Sequence, residues 1–112
     1  MVSWEPVLDL IRTEKQDVDV IAASGVLDIA TVDRLEKSVG EVLSAGRGVV
    51  IDLAGVTLCD STGLGVLVHL HRRARMAGVG FALRAPRRHV ADVLAMTGID
   101  KIITIEPARD SS

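Results

Sequence analysis

Aromatic residues are almost absent from this sequence, which contains one Trp, one Phe and no Tyr. Proteins that bind single-stranded nucleic acid use sets of aromatic side chains as stacking platforms for the bases. The charge balance also argues against such binding, because 13 Lys and Arg stand against 15 Asp and Glu, a formal net charge of -2. Since binding to a phosphate backbone depends on positive charge, we expect no direct contact with nucleic acid.

Cysteine is equally scarce. Cys59 is the single cysteine, so no disulfide can form within the chain, and a reducing compartment is consistent with this. One thiol and three separated histidines also offer too few ligands for a Cys-His metal cluster. We therefore predict no metal site and no cofactor.

Long apolar runs are missing as well. No stretch approaches the roughly 20 apolar residues of a membrane span. Residues 1–17 carry two acids within the first nine positions and lack the apolar core of a signal peptide. We expect a cytoplasmic protein that is neither exported nor anchored to a membrane.

The composition that remains is that of an ordinary globular domain, with 48% hydrophobic and 25% charged residues. A length of 112 residues fits one domain, and no internal repeat or linker divides the chain. We predict a single domain over residues 1–112, with a core from about residue 7 to 105 and a short C-terminal tail over 106–112.

Hydrophobic periodicity predicts alternating strands and helices. Residues 7–12 and 18–26 are typical of an antiparallel hairpin, and residues 29–43 of an amphipathic helix, with Asp28 as its N-cap and Gly46 as its C-cap. The remaining predictions are a central strand over 49–53 buried on both faces, a loop over 54–60, a helix over 64–76, a strand over 81–83, a helix near 90–94 and a strand over 102–105.

The resulting order ββαβαβαβ predicts an α/β fold, with helices packed around a small, mainly parallel, mixed sheet. Functional loops in such folds lie at the carboxyl ends of the strands. The loop after residues 49–53 is therefore the place to look for a site.

That loop leads into the segment Asp60-Ser-Thr-Gly-Leu-Gly65, which carries the strongest functional signal. Asp60, Ser61 and Thr62 stand at the start of a predicted helix, where side-chain oxygens can accept hydrogen bonds from unpaired N–H groups. Residue types alone favour helix capping. Gly63 and Gly65 call for a further reason, such as the close approach of another surface, because glycine in a helix costs about 1 kcal/mol relative to alanine. A helix N-terminus also suits a phosphoserine at Ser61.

With these residues, the chain resembles the STAS domain family, and within it the bacterial anti-sigma factor antagonists. The resemblance spans about residues 18–105 and rests on four segments: Gly25-Val-Leu-Asp28 with Thr31 and Leu35, Val50-Ile-Asp-Leu-Ala-Gly55-Val, Asp60-Ser-Thr-Gly-Leu-Gly65, and Leu94-Ala-Met-Thr-Gly98-Ile. Two positions depart from the family pattern. Val26 stands where members often have an acidic residue, and Cys59 stands where a bulky apolar residue is usual.

The resemblance implies the STAS fold and a partner-switching role. The unmodified protein would bind an anti-sigma factor that is also a serine kinase and so free a sigma factor. Phosphorylation of Ser61, with Thr62 as a secondary acceptor, would end that binding, and a PP2C-type phosphatase would reverse it. The implied partner-binding residues are Asp28, Asp60, Ser61, Thr62, Gly63, Leu64 and Gly65. The chain would be a monomer or weak dimer without catalytic activity of its own.

Other interpretations of the sequence remain open. The main alternative is a STAS scaffold that is not phosphorylated and docks on a transporter ATPase or a signalling complex; a lipid- or nucleotide-binding module is a third. A serine hydrolase is disfavoured, because His69 and His71 lie two turns or more beyond Ser61 and no Gly-x-Ser-x-Gly occurs.

Several polar side chains elsewhere allow two interpretations. The histidines, including His89, are expected at the surface or at helix ends. Cys59 is expected to be a small buried hydrophobe and not a redox sensor, since no cation flanks it. Two basic clusters are either solvated faces or steer an acidic partner: Arg72, Arg73 and Arg75; and Arg84, Arg87 and Arg88.

Overall fold

A computed structural model of the chain describes residues 7–108. Its elements are β1 (Leu8–Glu14), β2 (Val18–Leu27), α1 (Val32–Ser44), β3 (Gly48–Cys59), α2 (Ser61–Met76), β4 (Phe81–Arg84), α3 (Arg88–Met96), a 3-10 turn over Ile99–Lys101, and β5 (Thr104–Glu106). The predicted order and the α/β class are confirmed. β5 includes Glu106, so the core extends one residue into the predicted tail. Trp4 and residues 109–112 of that tail lie outside the described residues.

The five strands form one mixed sheet in the order β1-β2-β3-β4-β5. β1 and β2 pair antiparallel, as predicted for the hairpin, and every other neighbouring pair is parallel. β3 is the central strand, so the residues that follow it lie at the middle of the carboxyl edge. None of the helices within residues 7–108 is long and apolar enough to cross a membrane.

The helices cover one face of the sheet. Ile21, Ile51 and Leu83 are cross-strand neighbours on β2, β3 and β4, and they share a core cluster with buried side chains from α1, α2 and α3. Val49, Val50, Ile51 and Leu53 of the central strand are all buried, as predicted, but the core cluster that contains the helix side chains includes the first, third and fourth of these residues and not Val50. Val20 and Val50, adjacent on the opposite face, instead line an open groove of about 790 Å³.

Helix α1 begins three residues later than predicted. Its N-cap is Thr31 and not Asp28. Asp28 instead closes a turn ahead of the helix: its Oδ1 accepts a hydrogen bond from the Ala30 N–H at 2.9 Å, and its own N–H donates to Thr31 Oγ1 at 3.0 Å. At the other end the helix stops at the predicted place, where Gly46 adopts the left-handed conformation with φ 73° one residue after the C-cap.

β3 is longer than predicted, because residues 54–59 continue the strand and do not form a loop. They pair with β2 through shifts in register, with Ser24 opposite Gly55 and Leu27 opposite Cys59. A Cβ at Gly55 would lie 2.9 Å from the backbone carbonyl oxygen of Ala23, so glycine is needed for this close approach of the two strands. The extension carries the chain directly to Asp60.

A buried ion pair network closes the opposite, amino end of the sheet. The fully buried carboxylate of Asp19 accepts hydrogen bonds from Arg12 Nε at 2.6 Å and from Arg47 Nε at 2.7 Å. Burial alone would raise the pKa of Asp19, but the hydrogen bonds and charges of Arg47 and Arg12 hold that pKa below its ordinary value. The network therefore joins β1, β2 and the segment between α1 and β3.

Candidate functional site

The carboxyl ends of β2 and β3 bring two predicted site residues to the same place. Leu27 and Cys59 are paired in register, so Asp28 and Asp60 each follow the last residue of neighbouring parallel strands. The Asp60 N–H also donates to the Leu27 carbonyl at 3.2 Å. The turn that begins at Asp28 and the start of α2 therefore lie side by side at this edge of the sheet.

Asp60 is the N-cap of α2, which confirms the capping interpretation. Its backbone is extended, with φ -88° and ψ -174°, and its Oδ1 accepts a hydrogen bond from the Gly63 N–H at 3.0 Å. Its carbonyl accepts a hydrogen bond from the Leu64 N–H at 2.9 Å. Because this cap satisfies donors of the first turn, the helix begins at Ser61, three residues before the predicted start at Leu64.

Gly63 allows α2 to sit tightly against the ends of β2 and β3. A Cβ at this position would lie 2.6 Å from the Leu27 carbonyl oxygen and 2.9 Å from Cys59 Sγ. The prediction of a close approach is thus confirmed for Gly63. It is not confirmed for Gly65, which is exposed and whose Cβ position has no described atom within 4 Å outside the backbone of its own helix and its chain neighbours.

Ser61 is the first residue of α2 and is exposed, while Thr62 and Leu64 in the same turn are half-buried. Among residues 7–108, no partner forms a hydrogen bond with the Ser61 hydroxyl; the neighbouring Asp60 Oδ1 binds Gly63 instead. The hydroxyl therefore points to solvent at the positive end of the helix, where an attached anion would be favoured.

Apolar side chains lie exposed in the same two chain segments. Ile29, directly after Asp28, is 77% exposed, and Leu58, two residues before Asp60, is 53% exposed. Val26 is half-buried and pairs with Leu58 in register. We call Val26, Ile29 and Leu58 the apolar rim. Exposed apolar surface next to polar groups is typical of a protein-binding site. The sequence analysis missed Ile29 and Leu58, because it placed them inside a helix and a loop.

Comparison with known proteins identifies the family. The profile described as "Mlab, STAS domain" matches residues 11–105 of the chain. A protein of Thermotoga maritima named "Putative anti-sigma factor antagonist" is 32% identical over 91 residues, which cover 80% of each protein. The chain belongs to the anti-sigma factor antagonist family of STAS domains.

Solved structures agree with this assignment. The crystal structure of an anti-sigma factor antagonist from Mycobacterium paratuberculosis matches with a TM-score of 0.77 and 27% identity, covering 91% of this chain and 87% of that one. The Bacillus cell fate determinant SpoIIAA in its phosphorylated form matches with a TM-score of 0.72 and 17% identity, covering 93% of both chains. The second match shows the shared fold alone.

Cys59 lies beneath the site of this STAS domain. Burial, and after it the charge of Asp60, raise the pKa of the thiol to about 11. At neutral pH the group is therefore a thiol, which is the unreactive form. The side chain is half-buried and not fully buried as predicted, and its Sγ lies 2.9 Å from where a Cβ of Gly63 would be. The raised pKa agrees with a small hydrophobe and not with a redox sensor.

The histidines of the STAS domain do not all lie where the sequence places them. His69 and His89 are exposed as expected, but His71 is buried and packs edge-on against Phe81, with ring centroids 5.7 Å apart. Burial, followed by the charges of Arg75 and Arg72, lowers the pKa of His71. Within residues 7–108 no group of three or more His, Cys, Asp or Glu side chains is placed to hold a metal ion.

The second predicted basic cluster does not form. Arg84 is buried and pairs with Glu106, with Nε 3.5 Å from Oε1. Arg87 Nε instead donates to the Ala54 carbonyl at 2.9 Å, and His89 Nε2 lies 2.7 Å from the Thr57 carbonyl. Since β4 pairs with β3 only over residues 49–52, these two side chains bind the outer edge of β3 where it extends toward the site.

Proposed function

We propose that this STAS domain is a partner-switching anti-sigma factor antagonist in the cytoplasm. In its unphosphorylated form it binds an anti-sigma factor that is also a serine kinase, and phosphorylation of Ser61 ends the binding. It thereby regulates sigma-factor-dependent transcription without touching nucleic acid and without catalysis of its own. The observation that carries the proposal is the exposed Ser61 at the start of α2, at the same carboxyl edge of the sheet as the apolar rim.

The proposed contact surface combines the two adjacent segments at the carboxyl edge. Asp28 contributes from the turn before α1, and the segment from Asp60 to Gly65 contributes from the start of α2. In this surface Asp60 has a positioning role: its hydrogen bond to the Gly63 N–H holds the first turn and so orients the Ser61 hydroxyl toward ATP bound to the kinase. Thr62, half-buried one residue further, is the secondary acceptor.

Charge explains how phosphorylation acts as a switch. A phosphate adds about -1.5 to -2 charges at neutral pH, next to the carboxylate of Asp60. The helix N-terminus favours this anion by about 0.3–1 kcal/mol. An imperfectly paired charge buried in an interface costs several kcal/mol, so loss of binding dominates. We expect a phosphoprotein that remains folded and has lost its partner.

The relatives support the proposed class of partner and modification. The T. maritima and M. paratuberculosis proteins are named as anti-sigma factor antagonists. SpoIIAA, which shares the fold, is described in a phosphorylated form. We assign the anti-sigma factor partner and the phosphorylation to this chain at the residues that match the family motif.

Intact-mass spectrometry tests the proposal directly. The chain is incubated with Mg-ATP and each anti-sigma factor kinase encoded in the same genome, and the modified residue is mapped by fragmentation. We expect one phosphate on Ser61, removed by a PP2C-type phosphatase. Ser61→Ala should remove the main phosphorylation and leave at most a minor phosphate on Thr62, whereas Thr62→Ala is the matched control and should retain the phosphate on Ser61.

Binding measurements with the same kinase complete the test. Ser61→Ala should bind persistently in the presence of ATP, and Ser61→Asp should bind more weakly. If both variants bind alike and no kinase modifies Ser61, the partner-switching proposal is wrong, and the alternative of a scaffold that is not phosphorylated becomes the better interpretation.

A further inference from the structure

The exposed face of α2 extends well beyond Ser61. Its exposed residues are Ser61, Gly65, His69, Arg72, Arg75 and Met76, each of which lies three or four residues from another of them. At 3.6 residues per turn this spacing places all of them on one side of the helix. Arg72 follows Ser61 by about three turns, or about 17 Å along the axis. One protein that contacts Ser61 can therefore also reach the far end of this face.

That far end is positively charged. Arg72, Arg75 and Met76 line a shallow depression of about 420 Å³, and Met76 is 89% exposed. Among the described residues, no carboxylate lies within ion-pair distance of Arg72 or Arg75. Arg73 differs, because its guanidinium lies close to Gly40 of α1, 3.5 Å from where a Cβ would be. We call Arg72, Arg75 and Met76 the basic end of α2.

The charges of Arg72 and Arg75 affect the pKa of a neighbouring side chain. After burial, the positive charges of Arg75 and Arg72 are the causes that lower the pKa of His71 on the same helix. Neither arginine has an ion-pair partner among residues 7–108 that would offset this charge. In a chain whose formal net charge is -2, this end of α2 is a local exception that favours an acidic surface over a basic one.

We infer that the basic end of α2 is a second contact for the partner that recognises Ser61, and that it binds a carboxylate-bearing surface of that partner about 17 Å from the Ser61 contact. The identity of the partner rests on the proposed function. Exposed charge pairs of this kind mainly raise the association rate and fix the orientation of the complex. The second contact would therefore act mainly on the encounter of α2 with the kinase, whereas Ser61 and its cap determine the geometry at ATP.

The chemistry of this surface can be tested before a kinase is known. In NMR titrations of the isotopically labelled chain at low ionic strength, hexaglutamate should cause saturable shifts centred on the amides of residues 69–76. Hexalysine should not, and Arg72→Ala/Arg75→Ala should remove the effect. If the hexaglutamate shifts centre instead on other exposed cations, such as Arg34 or Lys37, the inference is wrong, whatever the fate of the proposed function.

Kinetics with the kinase that phosphorylates Ser61 test the contact itself. Arg72→Glu/Arg75→Glu should raise KM at low ionic strength by about tenfold, consistent with steering effects on association, and leave kcat unchanged, because Ser61 and its cap are untouched. The difference should shrink in 0.5 M salt. Arg88→Glu/Lys101→Glu makes the same change in net charge at other exposed positions and should leave KM near that of the wild type. Circular dichroism checks that both double variants fold.

The outcomes separate the two proposals. An unchanged KM for the α2 variant, or an equal rise in both double variants, overturns the second contact while phosphorylation of Ser61 still supports the proposed function. Failure of every kinase to modify Ser61 refutes the proposed function, and the peptide titration then decides alone whether the basic end of α2 selects acidic partners.

Discussion

Substitution of Gly63 by alanine tests how closely α2 must pack against the strands that carry the site. The added Cβ would lie 2.6 Å from the Leu27 carbonyl oxygen, so restoring an ordinary contact at 3.4 Å requires a shift of about 0.8 Å. Overpacking of this kind costs about 1–3 kcal/mol, and the higher helix propensity of alanine returns up to about 1 kcal/mol. We expect Gly63→Ala to lower the free energy of unfolding by about 1–2 kcal/mol.

Gly65→Ala provides a matched control two residues further along the same helix. Its Cβ would have no described atom within 4 Å outside the backbone of its own helix and its chain neighbours, so only the gain in helix propensity, about 0.5–1 kcal/mol, should remain. Urea denaturation followed by circular dichroism measures both variants against the wild type. The two substitutions should change stability in opposite directions. Equal stability of Gly63→Ala and Gly65→Ala would refute the close packing deduced for the start of α2.

Three further predictions concern titratable groups. Asp60→Ala should lower the free energy of unfolding by about 1 kcal/mol through loss of the cap, whereas Asp60→Asn keeps an acceptor and should lose less in urea denaturation. Because the folded-state pKa of Asp19 is lowered, its contribution to stability is present above the unfolded pKa of about 3.9 and is lost as pH falls through the folded pKa. The stability gap between wild type and Asp19→Asn should therefore narrow in denaturation experiments below about pH 4. Since the pKa of Cys59 is about 11, about one thiol in a thousand is ionised at pH 8, and an aromatic disulfide reagent should react far more slowly with folded than with unfolded protein.

Each of these three has a contradicting result. If Asp60→Ala and Asp60→Asn lower the free energy of unfolding equally, the side chain of Asp60 does not stabilise α2 as an N-cap. A stability gap for Asp19→Asn that stays constant from pH 6 to pH 2 would mean that its carboxylate gains nothing from its arginine partners. Rapid modification of Cys59 in the folded chain would show an accessible or activated thiol.

The order of elements and the position of the site follow from the sequence because both depend on periodic or local signals. Apolar residues repeat with strand and helix periods, and the motif from Asp60 to Gly65 lies at the carboxyl edge where an alternating fold places its loops. Asp60 is the N-cap for the local reason that a carboxylate accepts the N–H bond of a first turn. These features need no knowledge of distant contacts.

The features that the sequence did not predict depend on neighbours that are distant in the chain. β3 continues to Cys59 because β2 lies close enough to pair with it. Gly55, opposite Ser24, permits this approach because it has no Cβ. The N-cap of α1 is a local exception: Asp28 and Thr31 are both suited to it, and Thr31 occupies it because Asp28 is held in the preceding turn. Arg84 is buried on the face of the sheet that forms the groove, so it does not group with Arg87 and Arg88. The hydrophobic periodicity of the sequence does not indicate such contacts.

On the edge of β3 that faces away from β2, no strand among residues 7–108 pairs with the segment from the end of the pairing with β4 to Cys59. Unpaired strand edges are templates on which other molecules add their own strands, the first step of polymerisation. Here the carbonyls of Ala54 and Thr57 are already occupied by Arg87 and His89. An incoming strand would have to displace both side chains, so Arg87 and His89 protect this edge of β3 against pairing with a strand of another chain.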